Sequence, residues 1–339
     1  MDAMQSIGIF AAQTFLILFA ILAVIIVIAV LAAKAGHKTE VEVELLHKKY
    51  KGFRNLLKAH TVSKSERKEL KKKLKAERKA HDAKPQAVEK KIFVVDFEGD
   101  VKASAVENLR EEITAVLTIA TPQDEVVVRV ESPGGVVHGY GLAASQLLRV
   151  REKNIPLTVC VDKVAASGGY LMSVTANKIL CAPFAIVGSI GVVAQVPNLH
   201  RVLKKHDVDF KEYTAGEYKR TVSLLGEITP KGEEKFKQQL EDTHVLFKGF
   251  VGKFRPQLNL EEVATGEYWY GEQAIGKGLV DEIRTSDDYL MTLADQHQVI
   301  KVKFEQKQSI GDKLTGILGK AMKKGALSIV EELETRRFL

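Results

Sequence analysis

The chain has few cysteines and lacks the residue patterns of several common functional classes. Only two cysteines, Cys160 and Cys181, occur in 339 residues, which is too few for a disulfide framework. Both fall in strand-like segments, where cysteine usually packs as a small apolar residue. There is no zinc-ligand spacing and no aromatic RNA-binding motif, so the sequence predicts no nucleic-acid partner.

Charged residues are missing from one long stretch near the start of the chain. None occurs between Ala3 and Ala33, and residues 15–30 are almost wholly apolar. About 20 apolar residues suffice for a helix to cross a bilayer, so residues 7–33 are expected to form one transmembrane helix. The alternative is a cleaved signal peptide, because Ala33-Lys34-Ala35 resembles a cleavage site. Two features oppose it: no Lys or Arg precedes the apolar run, and signal peptides usually have an apolar region of only about 7–15 residues.

Positive charge is concentrated directly after this stretch. Residues 34–91 contain 19 Lys and Arg against 8 Asp and Glu, a net charge of +11, whereas the whole chain carries +7. Residues 34–90 are therefore predicted to be a Lys-rich spacer, helical over about residues 40–79 because helix formers dominate there. Anionic lipid headgroups are one explanation of the charge, and a solvated helix face is another. The positive-inside rule places this segment in the cytoplasm.

From Lys91 onward, strand-like and helix-like segments alternate, which predicts an α/β domain. Strands are expected at residues 92–97, 126–130, 157–161 and 179–181. Helices are expected at residues 103–119, 139–150, 167–175 and 231–254, and residues 267–281 suggest a loop, a short helix and a last β segment. The domain is predicted to span residues 91–285. Residues 286–339 are expected to form a C-terminal extension with an amphipathic helix at 313–333.

Two glycine-rich turns follow strand-like segments. The first is Ser132-Pro133-Gly134-Gly135, and the second places Ser167 in Ala165-Ala166-Ser167-Gly168-Gly169. A hydroxyl on such a turn is a candidate nucleophile, and a neighbouring Gly-Gly pair can present backbone N–H groups to an oxyanion. Together the turns indicate acyl-transfer chemistry. The alternative for the second turn is a helix N-cap, which also favours serine.

A serine nucleophile needs a base, because its hydroxyl is a weak nucleophile at neutral pH. No histidine lies between His138 and His200, and Ala165 breaks the G-x-S-x-G pattern of a nucleophile elbow. His138 remains a candidate because it closely follows the first glycine turn. Lys219, in Gly216-Glu217-Tyr218-Lys219, is another candidate, since desolvation favours the neutral amine of a buried lysine.

Four short motifs occur in a fixed order along the chain. They are S-P-G-G at 132–135, A-S-G-G-Y at 166–170, G-S-I-G at 188–191 and G-x-Y-K at 216–219. This set resembles the signal peptide peptidase A family of membrane-bound serine proteases, over roughly residues 91–282. The resemblance implies a ClpP/crotonase-like α/β fold and a Ser-Lys dyad that needs no metal or other cofactor. It also implies the bacterial inner membrane, with the protease domain in the periplasm, opposite to the positive-inside rule.

The resemblance implies a role for five residues. Ser167 would be the nucleophile and Lys219 the general base, with Ser189 hydrogen-bonded to the lysine to orient it. Gly134 and Gly168 would supply the N–H groups of the oxyanion hole. Expected partners are a peptide or protein substrate, such as signal peptides or misfolded envelope proteins, membrane lipid, and further copies of the chain in a homo-oligomer. The alternatives are a non-catalytic membrane adaptor of the same fold and an acyl-CoA-handling crotonase-like enzyme.

Overall fold

The structure is a computed structural model that describes residues 15, 39–63, 66–69, 72 and 90–306. Its strands are β1 Thr39–Leu45, β2 Lys91–Glu98, β3 Glu125–Glu131, β4 Leu157–Val161, β5 Val164–Ala166, β6 Lys178–Cys181, β7 Ile186–Gly188, β8 Tyr268–Tyr270, β9 Glu282–Ile283 and β10 Gln298–Gln306. Its named helices are α1 Leu46–Thr61, α2 Val106–Leu117, α3 Val137–Glu152, α4 Gly168–Ser173, α5 His200–Lys205, α6 Pro230–Phe254, α7 Leu260–Val263, α8 Gly271–Ala274 and α9 Ser286–Ala294.

The larger sheet has the strand order β1-β10-β2-β3-β4-β6-β9. All pairs from β10 to β9 are parallel. The central strands are runs of apolar residues, as expected where both faces of a parallel sheet are covered. In β2 and β3, Val95 lies opposite Val128 in the register, and both side chains are fully buried.

Helices cover the two faces of this sheet. On one face, α2 and α3 contribute Leu109, Ile113 and Leu147 to the main core. The buried positions of α2 recur every three or four residues, which is the spacing of one helix face. On the opposite face, Leu46 of α1 and Leu290 of α9 pack in a second apolar cluster. The expected α/β class is therefore confirmed.

A smaller sheet, in the order β5-β7-β8, lies where the predicted nucleophile turn begins. Strand β5 pairs in parallel with β7, and β7 pairs antiparallel with β8. A single bridge joins Ser132 to Ala165, which links the end of β3 to β5. The two glycine-rich turns of the sequence therefore leave adjacent strands, because Ser132 opens the first turn and Ala166 precedes Ser167.

Strand β1 replaces the helix that was expected to start near residue 40. Residues 40–45 alternate acidic and apolar side chains in the order Glu-Val-Glu-Val-Glu-Leu, and a period of two is the pattern of a strand. Helix α1 then follows without a gap and agrees with the helical part of the prediction. It packs on the sheet through Leu46, so part of the predicted spacer belongs to the folded domain.

Helix α9 and strand β10 lie beyond residue 285, where the protease domain was expected to end. Strand β10 inserts between β1 and β2, with Gln298 opposite Lys91 in the register. The side chain of His47 also contacts this strand, since its Nδ1 lies 3.0 Å from the Val299 carbonyl oxygen. The sheet therefore draws on residues that the sequence assigned to the spacer and to the C-terminal extension.

Two predicted segments lie essentially outside the described residues. They are the transmembrane helix at 7–33, of which only residue 15 is described, and the amphipathic helix at 313–333. Within the part of the chain that the structure describes, no helix combines the length and the apolar character needed to cross a membrane.

Candidate active site

Ser167 occupies a strained turn between β5 and α4. Its φ and ψ are 52° and −116°, a conformation that costs a residue with a side chain about 1–3 kcal/mol. The turn is fixed on both sides, because the Ser167 N–H donates to Gly188 O at 2.8 Å and the Ser167 carbonyl accepts from Leu171 N–H at 2.8 Å. The Ser167 hydroxyl makes no capping hydrogen bond to α4. The N-cap explanation of this serine therefore lacks its defining contact.

Gly134 lies directly against Ser167. A Cβ placed on Gly134 would be 2.7 Å from the Cβ of Ser167 and 2.8 Å from the backbone nitrogen of Gly168. The φ of Gly134 is +90°, a conformation that glycine adopts far more readily than other residues. Only glycine allows both this close approach and this backbone conformation. The structure therefore brings together three of the five predicted site residues.

The backbone N–H groups at this junction differ in their partners. Gly134 N–H donates to Ser132 Oγ at 3.1 Å, a short-range turn bond typical of serine. Neither Gly168 N–H nor Gly135 N–H has a hydrogen-bond acceptor among the described residues. Gly168 is buried beside Ser167, whereas Gly135 is exposed. An oxyanion formed at Ser167 would therefore find the Gly168 donor free, and the Gly134 donor in use.

Ser189 follows β7 and comes directly after Gly188, the residue that is hydrogen-bonded to Ser167. Its φ is 54°, and its N–H donates to Glu267 O at 2.6 Å. The preceding residue, Gly188, accepts the hydrogen bond from Ser167 N–H. A Cβ on Gly188 would lie 2.8 Å from the ring of Trp269, so strand β8 packs directly against this turn. Ser189 is thus placed beside the nucleophile turn, and its side chain is partly exposed.

Lys219 is not brought to this cluster. It lies between α5 and α6 in a stretch of turns and bends, and it is exposed. Its neighbours face α6: Glu217 forms an ion pair with Lys231, and the Lys231 ammonium lies 5.9 Å from the centre of the Tyr218 ring. The Lys219 side chain forms no hydrogen bond or ion pair with the described residues. Desolvation, which would favour the neutral amine that can accept a proton, is not supplied there.

The other candidate base, His138, and the two cysteines lie outside this cluster. His138 is exposed on the first turn of α3, and the described residues show no hydrogen bond from its ring. Cys160 and Cys181 are buried in β4 and β6. Burial raises the pKa of the Cys181 thiol to about 12 and also raises that of Cys160. Since the thiolate is the nucleophilic form of cysteine, neither thiol competes with Ser167.

Sequence reasoning missed Tyr140, which lies beneath both glycine turns. Its side chain is fully buried, and a Cβ on Gly168 would overlap its ring. Its hydroxyl is hydrogen-bonded to Ser132 Oγ and donates to Asp100 O at 2.8 Å. Burial raises the pKa of Tyr140, so the hydroxyl keeps its proton. The available signal was weak: an aromatic residue a few positions after S-P-G-G, in a helix with other apolar residues.

Comparison with known proteins identifies the family. The model of the peptidase family S49 N-terminal region matches residues 2–147, and the model of peptidase family S49 matches residues 149–300. A probable protease SohB of Haemophilus influenzae is 46% identical over 351 residues, covering 99% of this chain and 98% of the relative. The chain belongs to peptidase family S49.

A second relative agrees with family S49. A probable protease SohB of Buchnera aphidicola subsp. Schlechtendalia chinensis is 45% identical over 304 residues, covering 86% of this chain and all of the relative. A solved structure of a 1510-N membrane-bound stomatin-specific protease with a substrate peptide has a TM-score of 0.41 and 14% identity. It covers 68% of this chain and 99% of that chain. The resemblance inferred from the four motifs is confirmed, and the family is one of peptidases.

Proposed function

We propose that this protein is a membrane-anchored serine endopeptidase with Ser167 as nucleophile and Lys219 as general base. The placement of Ser167 carries the proposal. Its hydroxyl has no capping role and stands on a strained turn, against Gly134 and beside the N–H of Gly168. Strained residues persist where the surrounding structure holds them, often at active sites. Membership of family S49 indicates that the bond broken is a peptide bond.

The chemistry follows from these groups. Neutral Lys219 Nζ accepts the proton of Ser167 Oγ as that oxygen attacks the scissile carbonyl carbon. The lysine then gives the proton to the leaving amine as the C–N bond breaks, which leaves an acyl-enzyme. Water attacks the acyl carbon, with Lys219 again accepting a proton, and Ser167 is regenerated. Ser189, beside the turn, would orient the amine through a hydrogen bond.

Backbone N–H groups would stabilise the oxyanion of each tetrahedral intermediate. Gly168 N–H has no acceptor among the described residues and needs no rearrangement. Gly134 N–H donates to Ser132 Oγ at 3.1 Å, so its use requires a three-centred hydrogen bond or a small rotation of the peptide. One such donor contributes about 10²–10³ in rate.

Lys219 requires desolvation that the chain alone does not supply. Apolar side chains of the same segment between β7 and α6 are exposed: Val193 is 82% and Tyr213 is 89% exposed. Exposed apolar surface of this kind supports association, so we place the completion of the dyad in a homo-oligomer. Burying this segment between copies would remove water from the ammonium group, which favours the neutral base.

The anchor and the substrates are the remaining parts of the proposal. The uncharged stretch at residues 7–33 and the basic segment after it support a single-pass anchor in the bacterial inner membrane, in contact with lipid. The family resemblance supports a periplasmic protease domain and substrates such as signal peptides or misfolded envelope proteins. Alkaline phosphatase fused at the C-terminus should be active in cells, because that enzyme works only in the periplasm. An inactive but stable fusion would place the domain in the cytoplasm.

One observation favours a second candidate, a non-catalytic adaptor of the same fold. Lys219 is exposed, and among the hydrogen bonds of the described residues none joins it to Ser167. An adaptor would keep the glycine turns for structural reasons and would not need a base. The two candidates differ in one property, the reactivity of Ser167.

A fluorophosphonate probe tests that reactivity, because it labels only activated serines. Detergent-solubilised wild type is compared with Ser167→Ala, Lys219→Ala and the control Lys211→Ala, which removes another exposed lysine of the same segment. We expect labelling of wild type and of the control, and none of the first two variants. Folded wild type that stays unlabelled at every protein concentration would refute the peptidase proposal and favour the adaptor.

A further inference from the structure

Tyr140 touches both turns of the proposed site from below. Its ring packs under Gly168 so closely that a Cβ there would overlap Cγ of the ring. Its hydroxyl reaches Ser132, the first residue of the S-P-G-G turn. The Tyr140 side chain, which is fully buried, therefore contacts both glycine-rich turns.

Counting protons fixes the direction of the hydrogen bonds. The hydroxyl of Tyr140 has one proton, which it donates to the Asp100 carbonyl at 2.8 Å. It must therefore accept from Ser132 Oγ–H. The Ser132 oxygen in turn accepts from Gly134 N–H at 3.1 Å. The result is a chain of hydrogen bonds, here called the relay, in which each group donates to the next. It runs from Gly134 N–H through the hydroxyl groups of Ser132 and Tyr140 to Asp100 O.

The two hydroxyl groups of this relay are closely packed. Ser132 is fully buried, and its backbone is held by hydrogen bonds from Ser132 N–H to Val164 O at 2.8 Å and from Ala166 N–H to Ser132 O at 3.0 Å. A Cβ on Gly99 would overlap both the Tyr140 hydroxyl and Ser132 Oγ. A buried and fully satisfied polar network of this kind makes a local structure rigid.

We infer that Tyr140 is a positioning residue for the oxyanion side of the active site, acting through Ser132 on Gly134 and through its ring on Gly168. This inference rests on the proposed function. Tyr140 does not touch the reacting atoms. Its hydroxyl fixes the orientation of the Gly134 peptide, so losing the hydroxyl should impair stabilisation of the transition state and leave substrate binding intact.

The test compares Tyr140→Phe with Tyr170→Phe in the full-length, solubilised protein. The two tyrosines are matched, since each is fully buried and donates its hydroxyl to a backbone carbonyl at 2.8 Å, Tyr170 to Leu279 O. Tyr140→Phe should lose at least as much thermal stability as Tyr170→Phe, because it also leaves the buried Ser132 hydroxyl without its acceptor. For Tyr140→Phe alone we expect kcat for a peptide substrate to fall about tenfold, with KM changed less than about twofold. The Ki of a peptide boronate inhibitor should weaken by the same factor as kcat/KM.

A double-mutant cycle with Ser132→Ala examines the relay itself. If both hydroxyl groups act through Gly134, the double variant should be no less active than the worse single variant. Additive losses, or equal kcat for Tyr140→Phe and Tyr170→Phe, would overturn the positioning role while wild type stays active. A wild type that neither hydrolyses peptides nor reacts with the fluorophosphonate would instead refute the proposed function, and this inference with it.

Discussion

Replacing Gly134 by alanine tests the proposed site at its narrowest point. The added Cβ would lie 2.7 Å from Ser167 Cβ, 2.8 Å from Ala166 O and 2.8 Å from Gly168 N. All three are closer than van der Waals contact allows, and two of them are backbone atoms that cannot move aside alone. The nucleophile turn must therefore shift away from Gly134.

The expected loss of stability has two contributions, one from the backbone conformation and one from overpacking. A residue with a side chain at a φ of +90° costs about 1–3 kcal/mol, and overpacking of a tight site costs about another 1–3 kcal/mol. A typical domain has about 5–15 kcal/mol of stability, so most of the protein should remain folded. Activity should fall at least about 10²-fold, because the shift separates Ser167 from an oxyanion donor.

Gly266→Ala is the matched control. Gly266 has the same φ of +90°, but a Cβ there would find nothing within 4 Å. It therefore carries the backbone cost without the collision. The measurements are chemical denaturation, for the free energy of unfolding, and the rate of fluorophosphonate labelling of Ser167. Labelling of Gly134→Ala at the rate of Gly266→Ala would refute the placement of Gly134 against the nucleophile.

Three further predictions concern other parts of the domain. Gly168→Ala should destabilise the protein by about 1–3 kcal/mol and abolish labelling, because its Cβ overlaps the Tyr140 ring; a stable, active variant would contradict this packing. Lys219→Ala should change the free energy of unfolding by less than about 0.5 kcal/mol, as expected for an exposed side chain, when measured on the monomer; a larger loss would show that the lysine is structural. Burial raises the pKa of Asp96, but hydrogen bonds from Arg129 and a lysine of β10 outweigh burial and hold it below its ordinary value. The stabilisation from this carboxylate is then complete above about pH 4 and is lost as the pH falls further, so the stability difference between wild type and Asp96→Asn should shrink in acid. A difference that is independent of pH would argue against the ion pair.

The sequence was sufficient to predict those elements whose structure is determined by neighbouring residues. The apolar run at 157–161 coincides with β4, and the helix expected at 231–254 is α6 to within one residue. Ser167 was found because two glycines follow it directly, and the pairing of the two turns follows from adjacent parallel strands. The α/β class likewise follows from the alternation of segments.

Long-range contacts decided what the sequence did not predict. Tyr140 acquires its role from Asp100, 40 residues away, and nothing near Tyr140 indicates that contact. Strand β1 has an alternating pattern that was available, but the many charges around it favoured a helix. The exposure of Lys219 depends on what packs against residues 191–229, and the G-x-Y-K motif carries no information about that.

The position of β10 has a consequence for the synthesis of this protein. The strand that separates β1 from β2 is among the last parts of the domain to leave the ribosome, and His47 meets Val299 across 252 residues. Until then β2 has an open edge, and open edges invite pairing with other chains. Sheets closed by distant segments also form slowly. A chain truncated just before Gln298 should therefore need chaperones or aggregate, even though every residue of the proposed catalytic site is present.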